Sequence, residues 1–350
     1  TELDRTIVFL DLELDSDLQK LEDAETYLKQ HIDKCVIIDE IQRKPELFAL
    51  LRALVDLKRE PGRYLILGSA SPSLIKDSSE TLAGRIGYIE LSPLSLLEIN
   101  QQIPMRTHWL RGGFPDALLA PNLKFTWRWL ENFMRTFSER DLRELGYEIP
   151  PARIKLILKM LSHLNGQTLN ASQIANSMGI SQPTVKRYLD LLEGGFIINR
   201  LQPYLANVGK RLVKSPKVYF RDSGFFHEIA NIYDLESLYG SPLVGASWEG
   251  YVIEQIKRTV TTSWEFYFYR THHGAEIDLV LITPKGKMAV IEIKYSNAPS
   301  VSNGFYKSIE DLGPDYQYVI TPESEPYFKR NNLLVCSLEH FLLEIIPAIN

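Results

Sequence analysis

Short apolar runs alternate with amphipathic stretches over the first hundred residues. Residues 7–12, 35–39 and 63–67 read as buried strands, with a further strand near 87–91, and segments 15–30 and 45–58 carry apolar residues at helical spacing. Such alternation predicts parallel βαβ units with both sheet faces covered. From about 106 to 160 the pattern turns helical: Trp127, Leu130, Phe133, Met134 and Phe137 recur three and four residues apart on one face, as core positions do. A strand at Lys217-Val218-Tyr219-Phe220 then leads to a helix near Ser223, and Gly240-Ser241-Pro242 marks a loop. The remainder reads as helix 246–260, strands 264–270 and 276–283, a turn at 284–287, strand 288–295, helix 302–312, strand 316–321 and a closing strand and helix. The fold class is therefore α/β, in three modules: 1–105, 106–205 and 206–350.

Composition narrows this only a little. A chain of 350 residues with 45% hydrophobic and 24% charged content is globular and long enough for two or three domains. A formal net charge of -5 excludes a uniformly basic nucleic-acid coat, so any such contact must be local. Cys35 and Cys336 lie far apart, with neither metal-ligand nor disulfide spacing, which fits a reducing cytoplasm. No apolar run is long enough to span a bilayer, and no leader precedes the first strand, so a soluble cytoplasmic protein without a membrane partner is expected. Thr1 leads almost directly into an apolar strand, which reads as a truncated start.

Chemistry enters first at Cys35-Val36-Ile37-Ile38-Asp39-Glu40. This reads as a Walker B strand, in which Asp39 would hold the Mg²⁺ shell and Glu40 would polarise the attacking water. Four segments then follow in order: Val36-Ile37-Ile38-Asp39-Glu40-Ile41-Gln42, Gly62-Arg63-Tyr64-Leu65-Ile66-Leu67-Gly68-Ser69, Leu82-Ala83-Gly84-Arg85, and Leu91-Ser92-Pro93-Leu94-Ser95. With Arg111-Gly112-Gly113-Phe114-Pro115 and Ser138-Glu139-Arg140-Asp141-Leu142, the chain resembles a prokaryotic AAA-like ATPase family that carries a C-terminal domain of unknown function. That resemblance implies ATP as ligand, Ser69 as a γ-phosphate sensor, Arg85 as the cation on the transferring phosphate, and homo-oligomers. One departure stands out. Gly209-Lys210 and Gly286-Lys287 both lack the glycine five positions upstream that a Walker A loop requires, so a truncated P-loop sheet with weak or absent ATP binding is expected.

A second constellation lies at 170–201. Asn170 can cap a short helix bearing Ile174, Ala175 and Met178, Gly179 can end it, and Ser181 can cap a second helix bearing Val185, Leu189 and Leu192. Gln182, Lys186 and Arg187 then face outward. The spacing resembles a winged helix-turn-helix, with residues 196–201 as the wing. Its outer face would either contact DNA or pack on its own nucleotide domain, with Lys210, Arg211, Lys214 and Lys217 as further phosphate contacts.

The third lies near the C-terminus. If strands 276–283 and 288–295 pair as a hairpin, Asp278 approaches Glu292 and Lys294, which strand alternation puts on one face. Two carboxylates can hold a divalent metal while a lysine positions the water that attacks a phosphodiester. The pattern resembles a PD-(D/E)xK nuclease core, with Glu249, preferred over Glu254, as the additional acid. His272 and His273 read as loop residues. Three functions stay open: a DNA-associated nucleotide switch, a metal-dependent nuclease, and a non-enzymatic DNA- or protein-binding module.

Overall fold

A computed structural model describes residues 5–68, 81–99, 103–144, 147, 149–205 and 211–350. The chain forms two compact units, Thr1–Glu90 and Leu91–Asn350. The segments expected as separate modules, 106–205 and 206–350, thus share one unit.

In the first unit β1 (Ile7–Asp11), β2 (Cys35–Asp39) and β3 (Tyr64–Ile66) form a parallel sheet in the order β1-β2-β3. The expected helix 15–30 is two, α1 (Asp15–Lys20) and α2 (Ala24–Gln30), and α3 (Leu47–Leu57) follows β2. Leu10, Val36 and Ile38 meet Leu21, Leu28, Phe48, Leu51 and Leu54 in one apolar cluster. The buried Arg63 guanidinium closes the end of α3 by donating to the carbonyls of Leu54 and Lys58 at 3.1 and 2.6 Å. Two expectations fail here. Phe9, Ile37 and Leu65 stand in one row across the strands, with Phe9 and Leu65 52% and 43% exposed, so one sheet face is not covered by the described residues. The strand expected near 87–91 does not form, and Ile89 and Leu91 are 88% and 96% exposed.

The second unit is built on an eight-stranded sheet in the order β10-β11-β9-β8-β7-β6-β4-β5. Its strands are β4 (Ile198–Pro203), β5 (Lys217–Phe220), β6 (Glu265–Arg270), β7 (Glu276–Ile282), β8 (Met288–Ile293), β9 (Tyr316–Thr321), β10 (Tyr327–Phe328) and β11 (Leu334–Ser337). The supporting helices are α4 (Met105–Arg111), α5 (Leu123–Thr136), α6 (Pro151–His163), α7 (Ala171–Met178), α8 (Gln182–Gly194), α9 (Ser223–Ala230), α10 (Val244–Thr259) and α11 (Asn303–Leu312). Central strands bury side chains on both faces: Ala289, Ile291 and Ile293 of β8 join Trp248, Val252 and Ile256 of α10, whereas Val290 joins Phe305 of α11. A separate cluster gathers Leu130, Ile154, Ile157, Ile174, Val185 and Leu192 between the helices.

Two of the ordered segments meet physically. Gly113 accepts Leu94 N–H at 2.9 Å, and a Cβ on Gly113 would stand 2.3 Å from the Leu94 oxygen, so only glycine permits the approach. Asp222, fully buried at the start of α9, accepts Gly113 N–H at 2.7 Å and Phe225 N–H at 2.9 Å. Leu94 and Leu96 are also fastened to α10: Arg258 donates to the Leu94 carbonyl at 3.1 Å, and Leu96 N–H donates to Gln255 at 2.7 Å.

Glu228 on α9 has one carboxylate oxygen buried with no hydrogen-bond partner among the described residues. Burial, reinforced by Glu131, raises its pKa from 4.5 to about 7. The folded state thus holds the proton more tightly than the unfolded chain, and stability falls as pH rises from 4.5 to about 7. Glu228→Gln is expected to stabilise the protein at pH 8 by about 1 kcal/mol, a figure reduced for partial exposure, and to lose that advantage near pH 4.5. Thermal melts at both pH values check this; an equal gap at both would refute it.

Candidate functional site

The first unit puts its acids at one edge. Asp11 and Asp39 are register partners at the carboxyl ends of β1 and β2, where ligands of open parallel sheets bind. Glu40 follows in a left-handed conformation, φ 55°, with its N–H donating to Asp39 Oδ1 at 3.0 Å and its carboxylate engaged by Gln42. Asp11 was not singled out from sequence, since only strand pairing brings it to Asp39. Arg85 is already engaged inside the first unit. Its guanidinium forks onto Asp56 of α3, at 2.8 and 2.9 Å, and donates to the Ala83 carbonyl. That bidentate pair, with Arg59 beside it, pulls the Asp56 carboxyl down to about 2. Ser69 lies outside the described residues.

The second unit gathers a denser cluster. Antiparallel pairing of β7 with β8 sets Leu279 opposite Ile291, and one further step along that register brings Asp278 across from Glu292. Asp278 Oδ2 accepts Ile293 N–H at 2.8 Å, and Lys294 lies 2.7 Å from Glu292. Glu249 comes from α10, where Gly250 leaves room for the Tyr219 ring at a would-be Cβ distance of 3.1 Å. That close packing lets β5 add two more groups: the Tyr219 hydroxyl donates to Glu249 Oε1, and Lys217 Nζ lies 2.9 Å from the same oxygen. Lys217 also reaches Glu276 at 2.7 Å and Asp278 at 3.9 Å. Glu254 points elsewhere, to Arg221 at 3.3 Å.

Electrostatics here are crowded. Burial, then Glu249 and Glu292, hold the Asp278 carboxyl well above the ordinary carboxylate range, and Glu292 is raised chiefly by burial. Burial alone would drive Lys217 down, yet Glu249, Tyr219, Asp278 and Glu276 together hold its ammonium well above its usual value. Lys217 is therefore a correction: at 2% exposure it is a member of the acid cluster and unable to meet a DNA phosphate. Among the described residues no three His, Cys, Asp or Glu side chains converge on one metal position. A Mg²⁺ ion, however, is commonly held by one or two carboxylates and otherwise by water, a demand that the facing pair Asp278 and Glu292 fits.

The helix pair forms as its caps predict. Asn170 accepts Gln173 N–H at 3.2 Å, Gly179 takes φ +62°, and Ser181 accepts Thr184 N–H at 3.3 Å. Gln182, Lys186 and Arg187 are exposed along α8. The segment expected as a hairpin-like wing, 196–201, leads into β4, which pairs antiparallel with β5 and, over Gln202 and Pro203, parallel with β6, so it also belongs to the large sheet. Lys210 lies outside the described residues. No helix among the described residues is long and apolar enough to cross a membrane.

Residues 1–100 match the family model of an AAA domain. Residues 104–236 and 244–341 match two domains of unknown function, DUF8612 and DUF4143. An uncharacterised protein of Mycobacterium bovis is 40% identical over 277 residues, covering 79% of this chain and 62% of its own length, and one of Mycobacterium tuberculosis matches with the same figures. The chain spans about three fifths of these curated relatives, 62%. Among solved structures, a Thermococcus gammatolerans assembly of McrB AAA+ hexamers with bound McrC aligns at 10% identity, covering 53% of this chain and 70% of that one, with a TM-score of 0.22.

Carboxylates crowded together in a buried place raise one another's cost of ionisation. Asp278→Asn keeps the acceptor for Ile293 N–H and removes a carboxylate crowded by Glu249 and Glu292. In chelator at pH 8 this substitution is expected to stabilise the second unit by about 1 kcal/mol, roughly 2–4 °C in melting temperature. A melting temperature lowered by the substitution would show instead that the charge supports the fold.

Proposed function

We propose that this chain is an AAA-type, nucleotide-responsive protein that acts on nucleic acid. The observation that carries this reading is the AAA-domain match of residues 1–100 together with the position of Asp39 at the carboxyl end of a central parallel strand. Asp39 would hold Mg²⁺ through one carboxylate and water, and Glu40 would orient the attacking water. The phosphate cradle is the missing half: no Gly-x4-Gly-Lys-Ser/Thr segment occurs in the sequence. Without those backbone donors and that lysine, these 350 residues alone hold ATP weakly and turn it over at background rates. The exposed Gln182, Lys186 and Arg187 on α8 support contact with a duplex backbone, as in other helix-turn-helix proteins.

A second reading is favoured by a specific observation: Glu249, Asp278, Glu292 and Lys294, singled out from sequence, lie in one network of side chains. Asp278 and Glu292 would hold one Mg²⁺, which when bound supplies charge against the phosphate and a more acidic water. Lys294, half-exposed beside Glu292, would orient that water toward phosphorus, and Glu249 would fix the geometry of the acids through Lys217. The reading is a metal-dependent phosphodiester hydrolase, its substrate a nucleic acid.

For the first reading, calorimetric titration of the chain with ATP and Mg²⁺ is expected to give no micromolar binding and no turnover above background. Micromolar affinity with hydrolysis that disappears in Asp39→Ala would overturn the weak ATP binding expected of these residues, whereas the absence of any salt-dependent binding to duplex DNA that weakens in a Lys186→Ala, Arg187→Ala double variant would overturn the nucleic-acid part of the reading. For the second, incubation of plasmid and single-stranded DNA with Mg²⁺ or Mn²⁺ is expected to yield cleavage that falls by about 100-fold or more in Asp278→Ala, Glu292→Gln or Lys294→Met. Cleavage unchanged in Asp278→Ala, or absent from the parent chain under both metals, would sink the hydrolase.

A further inference from the structure

Four carboxylates surround the hydrolase-like site, Glu249, Glu276, Asp278 and Glu292, and two ammonium groups lie among them. Lys294 is at the open side, 37% exposed, and Lys217 is almost completely enclosed at 2%. Arg270 approaches Glu276 at 3.5 Å from the rim, where it is 39% exposed. With all four acids ionised, the state that a bound cation would impose by displacing protons, they exceed their fixed cations by two charges if the rim guanidinium is left out and by one if it is included. One divalent ion answers that excess, and two would overshoot it.

The geometry gives the same answer. Two-metal phosphodiester sites separate their ions by about 3.5–4 Å and need carboxylates that serve both. Here Glu249 Oε1 already accepts from Lys217 Nζ at 2.9 Å and from the Tyr219 hydroxyl, and Glu276 Oε1 lies 2.7 Å from the same ammonium. The Phe268 ring, its centroid 5.5 Å from Nζ, adds an apolar wall that favours a fixed cation over a hydrated one. We propose that Lys217 is a built-in counter-cation standing where a second metal ion would sit, so that the site takes a single divalent ion between Asp278 and Glu292. Lys217 is thus a positioning residue: enclosed at 2% exposure, it fixes Glu249 and Glu276 and sets the metal count. This rests on the hydrolase reading above.

The test is a Mn²⁺ titration of the full chain, with bound ion counted by calorimetry and by the loss of the free Mn²⁺ electron paramagnetic signal. The parent chain is expected to bind one Mn²⁺, lost in Asp278→Asn. Lys217→Met, close to lysine in volume, is expected to bind two, or to bind the first at least 10-fold more tightly, and Lys217→Gln serves if the methionine variant does not fold. Two ions in the parent overturn the proposal without any variant. One ion in the parent with unchanged number and affinity in a folded Lys217 variant overturns it too, while leaving the hydrolase reading standing. No ion in the parent but one in the variant overturns the single-ion site and removes the hydrolase as a property of the parent chain. No ion in either removes both.

Discussion

Taking the Lys217 ammonium out of water costs several kcal/mol, and the carboxylates of Glu249 and Glu276 are what offset it. Much of the second unit is arranged around that requirement. Strand β5 must run beside α10 closely enough for the pair to form, so Gly250 replaces a side chain where the Tyr219 ring lies. Asn165 bridges the same two elements, accepting Phe220 N–H at 3.0 Å and donating to the Ala246 carbonyl at 3.0 Å. A glycine inside a helix costs about 1 kcal/mol relative to alanine, a loss that the packing and the ion pair it permits must exceed. Strand β5 in turn pairs with β4, the continuation of the helix pair, so the helical layer and the large sheet cannot separate without exposing that ammonium.

The acids illustrate a different balance. A core designed only for stability would not bring Glu249, Asp278 and Glu292 together, since Glu249 and Glu292 add to the burial that makes Asp278 hard to ionise, and Glu249 does the same to Glu292. Their assembly in one place is therefore a departure from local stability rules of the sort found at functional sites. In the first unit the corresponding departure is milder: Glu40 in a left-handed backbone conformation, beside two aspartates at adjacent strand ends.

What could be read from the residues alone was whatever depends on neighbours along the chain. Caps at Asn170 and Ser181, the Gly179 stop and the β7–β8 turn are local, and Asp278, Glu292 and Lys294 met because a hairpin fixes its own register. Lys217 escaped because its partners lie on α10 and β7, at sequence distances where only tertiary pairing decides, so it looked like one more surface lysine. The pairing of Arg85 with Asp56 was hidden for the same reason, Asp56 being on another element. The expected strand at 87–91 shows the opposite error: apolar composition suggested a strand, but a strand exists only where an edge receives it.

Helix α10 holds Glu249 in its second turn and Gln255 and Arg258 near its far end, where they grip the chain at Leu96 and Leu94. With 16 residues it is a rod about 24 Å long, stiff over the distance that matters. The polypeptide entering the second unit is thus not tied to a loop that could absorb a pull. It is tied to the same rod that carries Glu249, so the anchoring of the chain at Leu94 and the placement of that carboxylate depend on one element.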